Sequence, residues 1–193
     1  MTKSMKRYTL SSSPLCEQKQ IIRLQKLVEI ENLSDKYIRE SDEAILNKLL
    51  CLEELNNACT VFLYHSVGRE VSTVKLIERL LKSGRRVALP VSGNGGAMEF
   101  YFLNSLSELM PGRFGIPEPP VKRPVRPEAD DVIIVPALCC DRHGNRLGHG
   151  EGYYDRYLAK YKCFSICLCR SRLLEDKLPA EKTDIAVSLV LTD

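Results

Sequence analysis

The sequence lacks several features that would place it outside the ordinary globular proteins. Its longest apolar runs are shorter than ten residues, so we expect no segment to span a bilayer. The formal net charge of +3 is small, and no basic run with interleaved aromatic residues indicates a nucleic-acid partner. Residues 1–13 contain basic residues and serines but no apolar core of a signal peptide. We therefore expect a cytoplasmic protein with a flexible tail over residues 1–13 and with neither a membrane nor a nucleic-acid partner.

The cysteines lack the spacing of a metal site. Eight are present, and four fall in predicted strands beside valine, isoleucine and leucine. Cys163, Cys167 and Cys169 do not form the paired C-x-x-C pattern of a zinc site, and His143 is not placed to complete one. Buried thiols in a reducing compartment explain these cysteines better than disulfides do.

The features that are present indicate one globular domain over residues 14–193. Of the 193 residues, 44% are hydrophobic and 27% charged, and a chain of this length buries about 70% of its unfolded surface. Predicted strands alternate with predicted helices, which indicates an α/β fold with a three-layer, mainly parallel, doubly wound sheet. The predicted helices are 14–33, 41–55, 74–82 and 153–162, and the predicted strands are 59–64, 86–90, 98–103, 132–138, 163–169 and 185–191.

Two side-chain stripes run along the first predicted helix. Ile21, Leu24 and Val28 follow the spacing of an apolar face, which predicts that they are buried. The second stripe is basic and consists of Lys19, Arg23 and Lys26. Such a stripe is usually a solvated face, and a cationic surface that closes over an anion is the alternative. The sequence alone favours the solvated face.

A glycine-rich segment follows the predicted strand 132–138. Residues 141–155 read Asp-Arg-His-Gly-Asn-Arg-Leu-Gly-His-Gly-Glu-Gly-Tyr-Tyr-Asp. In a strand, glycine-rich loop and helix, backbone N–H groups and the helix N-terminus can face a phosphate. Gly148, Gly150 and Gly152 allow the backbone to approach a ligand or to take positive φ, and Arg146 offers a planar donor group to phosphate oxygens. A tight structural turn is the alternative, and the charged neighbours of the glycines argue against it.

The predicted parallel sheet also indicates where this segment lies. Ligands of such sheets bind beyond the carboxyl ends of the strands. Loop 65–70 follows one predicted strand and loop 141–155 follows another, so we expect both loops at one edge of the sheet. The Pro-rich connection 111–127 is long enough to be a functional segment. Its Glu118 is either a rigid turn residue or a lid contact.

Residues 145–156 resemble the signature of the 5-formyltetrahydrofolate cyclo-ligase family. The family pattern N-R-L-G-x-G-x-G-Y-Y-D is matched at every fixed position, and the likeness covers about residues 19–193. One stretch departs, because residues 136–141 read Pro-Ala-Leu-Cys-Cys-Asp where family members commonly carry Pro-Gly-Leu-Ala-Phe-Asp. Four further motifs agree in order, at residues 86–90, 98–100, 114–119 and Lys19-x-x-x-Arg23.

The resemblance implies an enzyme that depends on ATP and Mg²⁺, with an α/β fold similar to the sugar-phosphate isomerase and CoA-transferase group. Such enzymes convert 5-formyltetrahydrofolate to 5,10-methenyltetrahydrofolate and release ADP and phosphate. The formyl oxygen is phosphorylated and N10 then attacks the activated carbon. The partner would be the small-molecule substrate, with or without a polyglutamate tail, and we expect a monomer.

The resemblance also assigns residues to ATP and to the chemistry. Arg146, Lys19 and Tyr154 are the expected catalytic residues. Tyr154 and its neighbour Tyr153 would otherwise be core residues at a helix start, and His149 would be an exposed spacer between glycines. The expected ATP-binding residues are Lys19, Gln20, Ile21, Ile22 and Arg23 in the first motif and Arg146, Leu147, Gly148, His149, Gly150, Glu151, Gly152, Tyr153 and Tyr154 in the second.

The folate and the metal would be held by other residues. His65 and Glu70 occupy positions that line the folate site in the family. Without the resemblance, Glu70 would be interpreted as a solvated loop carboxylate. Asp155 and Asp184 are the expected magnesium ligands.

Two other classes of function are compatible with the sequence. A non-catalytic folate- or nucleotide-binding regulatory relative would keep the pocket, although the intact Arg146, Tyr154 and Asp155 argue against it. A sugar-phosphate isomerase of similar fold would need neither ATP nor magnesium.

Overall fold

The structure, a computed structural model, describes residues 13–193. The expected flexible tail therefore lies outside the described residues except for Ser13, whose hydroxyl accepts a hydrogen bond from the Cys16 N–H and caps the first helix. No helix within 13–193 is both long and apolar enough to cross a membrane.

The helices are α1 (Pro14–Glu31), α2 (Asp35–Leu50), α3 (Glu53–Asn57), α4 (Val74–Lys82) and α5 (Tyr153–Lys160). The strands are β1 (Thr60–Phe62), β2 (Arg86–Ser92), β3 (Met98–Leu103), β4 (Met110–Pro111), β5 (Pro117–Glu118), β6 (Val132–Val135), β7 (Cys139–Asp141), β8 (Arg146–Leu147), β9 (Phe164–Leu168), β10 (Leu174–Glu175) and β11 (Leu189–Leu191).

The main sheet has six strands in the order β11-β9-β6-β1-β2-β3. Five of them run parallel, which confirms the mainly parallel sheet, and β3 alone is antiparallel to its neighbour β2. The short connection 93–97 explains this exception, because a parallel crossover needs a dozen or more residues. From β1 the strand order runs one way through β2 and β3 and the other way through β6, β9 and β11. The topological switch point therefore lies between β1 and β6.

The sheet is covered on both faces, which confirms the three-layer arrangement. On one face, α2, α3 and α4 bury side chains against alternate strand residues such as Val61 and Ile134. On the other face, α1 and α5 cover residues such as Phe62 and Ile133. Because both faces are buried, all four residues of β6 are apolar and buried. The small β10-β7-β8 sheet lies on the α5 side.

The second helix differs from its predicted bounds of 41–55. It begins at Asp35, because the Ser34 hydroxyl accepts a hydrogen bond from the Tyr37 N–H at 3.2 Å and caps the helix. This capping signal lies outside the apolar repeat from which the helix was predicted. Cys51 ends α2, and Glu53–Asn57 forms a separate short helix. Of the apolar residues of α2, Ile45, Leu46 and Leu49 are buried and Leu50 is partly buried.

Both predictions for the side-chain stripes of α1 are wrong. Ile21, Leu24 and Val28 are 56%, 57% and 62% exposed, whereas Lys19 and Lys26 are only 6% and 5% exposed. The face predicted to be apolar core therefore lies in solvent, and two of the three residues of the supposed solvated basic face are buried. The reason is electrostatic, since each buried lysine is paired with two carboxylates.

Lys26 illustrates this pairing. Its ammonium donates to Glu29 at 2.7 Å and to Glu175 of β10, so it joins α1 to the small sheet. Burial lowers the pKa of Lys26, but the hydrogen bonds to Glu175 and Glu29 outweigh that effect and raise it above its ordinary value.

The predicted burial of the cysteines is confirmed for part of the set. All eight cysteines are free, and Cys139, Cys140, Cys167 and Cys169 are buried. The sulfurs of Cys140 and Cys167 lie 3.1 Å apart between β7 and β9. These thiols fill the core beneath the glycine-rich segment.

Candidate active site

A cavity of about 810 Å³ lies beyond the carboxyl ends of the parallel strands, at the switch point. Residues after β1, including Tyr64 and His65, form one wall, and Pro136 and Ala137 after β6 form another. Residues 67–71 and 146–155 both contribute to the lining, which confirms that the two predicted loops meet at one edge. This position and volume are typical of a small-molecule site.

The start of the glycine-rich loop is fixed by Asp141, a fully buried carboxylate. It accepts hydrogen bonds from the N–H groups of His143 at 2.9 Å, Asn145 at 3.0 Å and Leu178 at 3.0 Å, and from the Asn145 amide at 2.8 Å. Burial raises the pKa of Asp141, but these hydrogen bonds outweigh it and lower the pKa below its ordinary value. Asp141 therefore holds the β7–β8 hairpin from which Arg146 projects. The sequence contained the signal, an Asp followed by a Gly-Asn turn.

Arg146 lines the cavity and is paired with a second site residue. Its guanidinium lies 3.0 Å from the Asp155 carboxylate and also donates to the Ile185 carbonyl. The same Asp155 oxygen accepts from the Ile185 N–H at 3.1 Å. The expected phosphate ligand and one expected metal ligand thus hold each other in place.

Lys19 repeats this arrangement from α1. Its ammonium lies 2.6 Å from Asp184 and 2.9 Å from Glu181, and all three residues line the cavity. Burial lowers the pKa of Lys19, but the hydrogen bonds to Asp184 and Glu181 raise it above its ordinary value. Lys19 is therefore protonated at neutral pH. The sequence analysis did not identify Glu181, which carries no motif signal and approaches Lys19 from 162 residues away.

The three glycines of the loop differ in whether the local structure requires a glycine. Gly150 and Gly152 have φ values of 103° and 67°, and a Cβ at 152 would lie 2.8 Å from the Arg156 guanidinium. Gly148 has no positive φ, and a Cβ there would meet nothing within 4 Å. The Gly148 carbonyl accepts from Arg23 at 2.9 Å, which ties α1 to the loop. Only Gly150 and Gly152 are therefore required by backbone conformation.

The glycine-rich loop leads directly into the N-terminus of α5. Gly152 is its N-cap and supplies no side-chain hydrogen bond, so the first-turn N–H groups lack a side-chain cap. Tyr153 and Tyr154 both line the cavity and pack against the core, so they serve both roles between which the sequence left a choice. The positive end of the helix dipole is consequently available to an anion.

His65 and Glu70 also line the cavity. The His65 Nδ1 is buried and has no hydrogen-bond partner among residues 13–193, and burial lowers the pKa of His65, which keeps its ring neutral at pH 7. Glu70 accepts a hydrogen bond from the Val67 N–H at 2.9 Å. Burial raises the pKa of Glu70, while the Val67 N–H and the charge of His149 oppose that rise. Glu70 is therefore a partly buried site residue and not a solvated loop carboxylate.

Three expected ATP contacts do not reach the cavity. Gln20 accepts from Arg23 at 3.4 Å on the outer surface, Ile21 is exposed, and Ile22 packs against the core. A helix turns 100° per residue, so five consecutive residues cannot all face one side. The α1 residues that line the cavity are Cys16, Lys19, Arg23, Leu27, Ile30 and Glu31.

The Pro-rich connection contributes to the cavity wall. Glu118 lies in the β4–β5 hairpin, and its carboxylate accepts from the Ser92 N–H at 3.2 Å. This bond joins the connection to β2, so Glu118 is a hairpin residue that also faces the cavity.

The lining contains more carboxylates than cations. Seven Asp and Glu residues and five Lys and Arg residues line the cavity, so its lining as a whole is not cationic. The carboxylates are Glu31, Glu70, Glu118, Glu151, Asp155, Glu181 and Asp184, and the cations are Lys19, Arg23, Arg69, Arg146 and Arg170.

Asp155 and Asp184 fit a magnesium ion that is bound together with a nucleotide. Within residues 13–193, no three His, Cys, Asp or Glu side chains converge in an arrangement that could hold a metal ion without other ligands. Mg²⁺ characteristically takes one or two carboxylates and completes its shell with water and phosphate oxygens. Two carboxylates on one cavity wall meet that requirement.

The fold and the cavity define an α/β protein with a cavity of small-molecule size at the switch point of a mainly parallel sheet. The sequence model of the 5-formyltetrahydrofolate cyclo-ligase family matches residues 16–193. The chain therefore belongs to the 5-formyltetrahydrofolate cyclo-ligase family.

Individual relatives agree with this assignment. The 5-formyltetrahydrofolate cyclo-ligase of Mycolicibacterium smegmatis is 41% identical over 142 residues, which cover 69% of this chain and 73% of the relative. That of Escherichia coli K12 is 35% identical over 167 residues, covering 83% and 92%. The NMR structure of Aquifex aeolicus 5,10-methenyltetrahydrofolate synthetase matches with a TM-score of 0.79 and 33% identity, covering 90% of this chain and 88% of that one. The expectation that the chain is an enzyme of this family is confirmed.

Proposed function

We propose that the protein uses ATP and Mg²⁺ to convert 5-formyltetrahydrofolate to 5,10-methenyltetrahydrofolate, with release of ADP and phosphate. One observation carries the proposal: the glycine-rich loop and the N-terminus of α5 line the same cavity as Glu70 and His65. A reaction between a nucleotide and a pterin needs both kinds of surface within reach of one another. The family membership of the chain supports the same reaction.

The chemistry requires a poor leaving group to become a good one. The N5-formyl oxygen attacks the γ-phosphorus of ATP, and ADP is released. N10 then adds to the activated formyl carbon and loses its proton, and the carbon–oxygen bond breaks to release phosphate. Because N10 and the formyl carbon belong to one molecule, a pocket that orients them can exploit an effective molarity worth roughly 7–11 kcal/mol.

The residues around the glycine-rich loop would bind and align the phosphates. Phosphoryl transfer needs alignment and charge neutralisation more than covalent participation by the protein. Arg146 offers a planar donor group, Lys19 a point charge, and the α5 N-terminus a set of N–H donors. Tyr154, at that N-terminus, lines the same cavity as Glu70 and Arg146.

The excess of carboxylates in the lining supports a need for a divalent cation. A triphosphate would add negative charge to a cavity that already carries two more carboxylates than Lys and Arg side chains. Asp155 and Asp184 would hold magnesium, which neutralises phosphate charge when bound. Lys19 and Arg146 already contact these carboxylates.

Glu70 and His65 would bind the pterin. A carboxylate accepts from the ring N–H donors of a pterin, and a buried carboxylate selects strongly against analogues that lack those donors. The unpartnered Nδ1 of His65 offers a further polar contact in the same wall.

We further propose that residues 14–193 act as one catalytic domain in a cytoplasmic monomer.

The proposal is tested by two assays on the purified protein. Methenyltetrahydrofolate absorbance and ADP release are followed with 5-formyltetrahydrofolate, ATP and MgCl₂, and each component is omitted in turn. We expect equal amounts of ADP and methenyl product, and neither without magnesium. Folate binding without turnover would favour the regulatory relative, and sugar-phosphate isomerisation without ATP would favour the isomerase.

A further inference from the structure

Arg170, which follows β9, is a buried cation without an assigned role. It is 1% exposed and has the largest side chain among the fully buried residues. A guanidinium cannot lose its charge in a protein, so its burial requires compensation by hydrogen bonds and a counter-charge. The nature of its partners therefore indicates what Arg170 does.

One part of the guanidinium is fixed to α2. The Arg170 Nη1 lies 2.8 Å from the Asp42 carboxylate and 3.1 Å from the Ser41 hydroxyl, and it also donates to the Ile38 carbonyl at 3.3 Å. The Ser41 hydroxyl in turn donates to Asp193 at 3.0 Å. The Nη1 atom is therefore held by three residues of one helix, α2.

The other part of the guanidinium holds the loop that carries Glu70. The Arg170 Nη2 donates to the Glu70 carbonyl at 3.0 Å and to the Arg69 carbonyl at 3.4 Å. The partner carboxylate of Asp42 accepts from the Ser72 N–H at 3.1 Å. The Arg170–Asp42 pair thus binds the loop backbone at Glu70 and again two residues later, at Ser72. A change in the backbone conformation of this loop would move the Glu70 carboxylate.

We propose that Arg170 is a positioning residue for Glu70, and that it fixes the loop backbone so that the Glu70 carboxylate is held in place for a pterin in the cavity. The proposal rests on the proposed function, because it assumes that Glu70 binds folate. Arg170 and Glu70 both line the cavity, but both Nη atoms of Arg170 donate to protein acceptors. Its effect therefore passes through the loop backbone.

The variant R170K tests the proposal, because lysine keeps the charge but cannot donate in two directions from a planar group. We expect the KM and the dissociation constant for 5-formyltetrahydrofolate to rise about tenfold, and those for ATP to change by less than about twofold. Isothermal titration and steady-state kinetics measure these constants. D42N, which leaves the arginine in place, is expected to shift the folate constants in the same direction by about threefold, and it serves if R170K does not fold.

R85K is the matched control. Arg85 also donates to backbone carbonyls, those of Leu55, Asn56 and Ala58, but it precedes β2 at the opposite edge of the sheet. We expect R85K to lose stability and to keep the folate constants. A double-mutant cycle with E70Q supplies the second readout, since the effect of R170K should fall below about twofold once the Glu70 carboxylate is gone.

The outcomes separate the two proposals. Unchanged folate affinity in R170K and D42N, an equal loss of ATP affinity, or a full R170K effect in the E70Q background would overturn the positioning role. Absence of 5-formyltetrahydrofolate binding by the unsubstituted protein would instead overturn the proposed function.

Discussion

The ammonium of Lys19 lies 2.6 Å from the Oδ2 of Asp184, so the residue expected to hold nucleotide phosphate is bound to a residue expected to hold metal. Arg146 and Asp155 form the same kind of pair at 3.0 Å. In each pair, a cation directed at phosphate is held by a carboxylate directed at metal. If the proposed function is correct, we expect binding of the nucleotide and binding of the metal to be coupled through these four side chains.

The variants K19M and K26M distinguish a role of Lys19 in phosphate binding from the general effect of removing a buried, paired lysine. Both lysines are buried on α1 and paired with two carboxylates, but only Lys19 lines the cavity. We expect each variant to lose about 1–3 kcal/mol of unfolding free energy, because each leaves partly buried carboxylates uncompensated. The KM for ATP should rise about tenfold or more in K19M and remain unchanged in K26M. Equal KM values in both would contradict a phosphate role for Lys19.

The electrostatics of α1 could not be predicted from its own sequence. The partners of its buried lysines include Glu175, Glu181 and Asp184, which lie about 150 residues or more downstream. A periodic pattern reports only on neighbours within the helix, and it therefore predicted that Ile21 and Val28 would be buried. Ion pairs with distant residues decided the orientation of the helix, and these two side chains lie in solvent.

Glu70 should make stability depend on pH in a specific direction. Burial raises its pKa above the ordinary value of 4.5, so ionisation of Glu70 destabilises the folded state. This cost is absent below pH 4.5, where the carboxyl group is protonated in both states, and is complete above the raised pKa. E70Q should therefore be more stable than the unsubstituted protein at pH 7, by about 0.5–1 kcal/mol, and should lose that advantage below pH 4.5.

The same variant should bind folate about tenfold or more weakly, because an amide oxygen is a poorer acceptor than a carboxylate for pterin N–H groups. Urea unfolding at several pH values and the KM for 5-formyltetrahydrofolate provide the two measurements. An E70Q variant that is less stable at pH 7 and binds folate normally would contradict both assignments.

The location of the site was predictable, whereas its supporting contacts were not. The glycine spacing and the rule for parallel sheets brought residues 65–70 and 146–155 to one cavity, as the structure confirms. Arg170 and Glu181 were missed, since their roles depend on partners 100 or more residues away. The antiparallel β3 was also missed, although the short 93–97 connection could have indicated it.

The glycines of the loop predict opposite outcomes for two alanine variants. In G150A, a non-glycine residue would have to adopt φ near 103°, and we expect a loss of about 1–3 kcal/mol of unfolding free energy. In G148A, the new methyl group meets nothing within 4 Å, so stability should stay within about 0.5 kcal/mol. The KM for ATP should nevertheless rise several-fold in G148A, because the methyl group occupies space that a phosphate would approach. A KM unchanged in G148A would remove Gly148 from the phosphate site.

Asp141 provides the most demanding test of how the loop is held. Its fully buried carboxylate accepts four hydrogen bonds, and D141N replaces one acceptor oxygen by a donor that has no acceptor there. We expect D141N to lose about 2–4 kcal/mol of unfolding free energy at pH 7. Because Arg146 projects from the hairpin that Asp141 holds, kcat/KM for ATP should also fall.

The pH dependence and a second buried aspartate distinguish this role from general destabilisation. The folded-state pKa of Asp141 lies below its ordinary value of 3.8, so its contribution to stability is complete above that value and is lost as the pH falls through the lowered pKa. D141N should therefore lose less stability than the unsubstituted protein on acidification from pH 5. Asp131, also buried, accepts from the Thr60 and Glu128 N–H groups at 2.8 Å and lies at the opposite edge of the sheet. D131N should be destabilised while it keeps the ATP constants, and a matching loss of kcat/KM in D131N would show that loss of stability alone explains the activity of D141N.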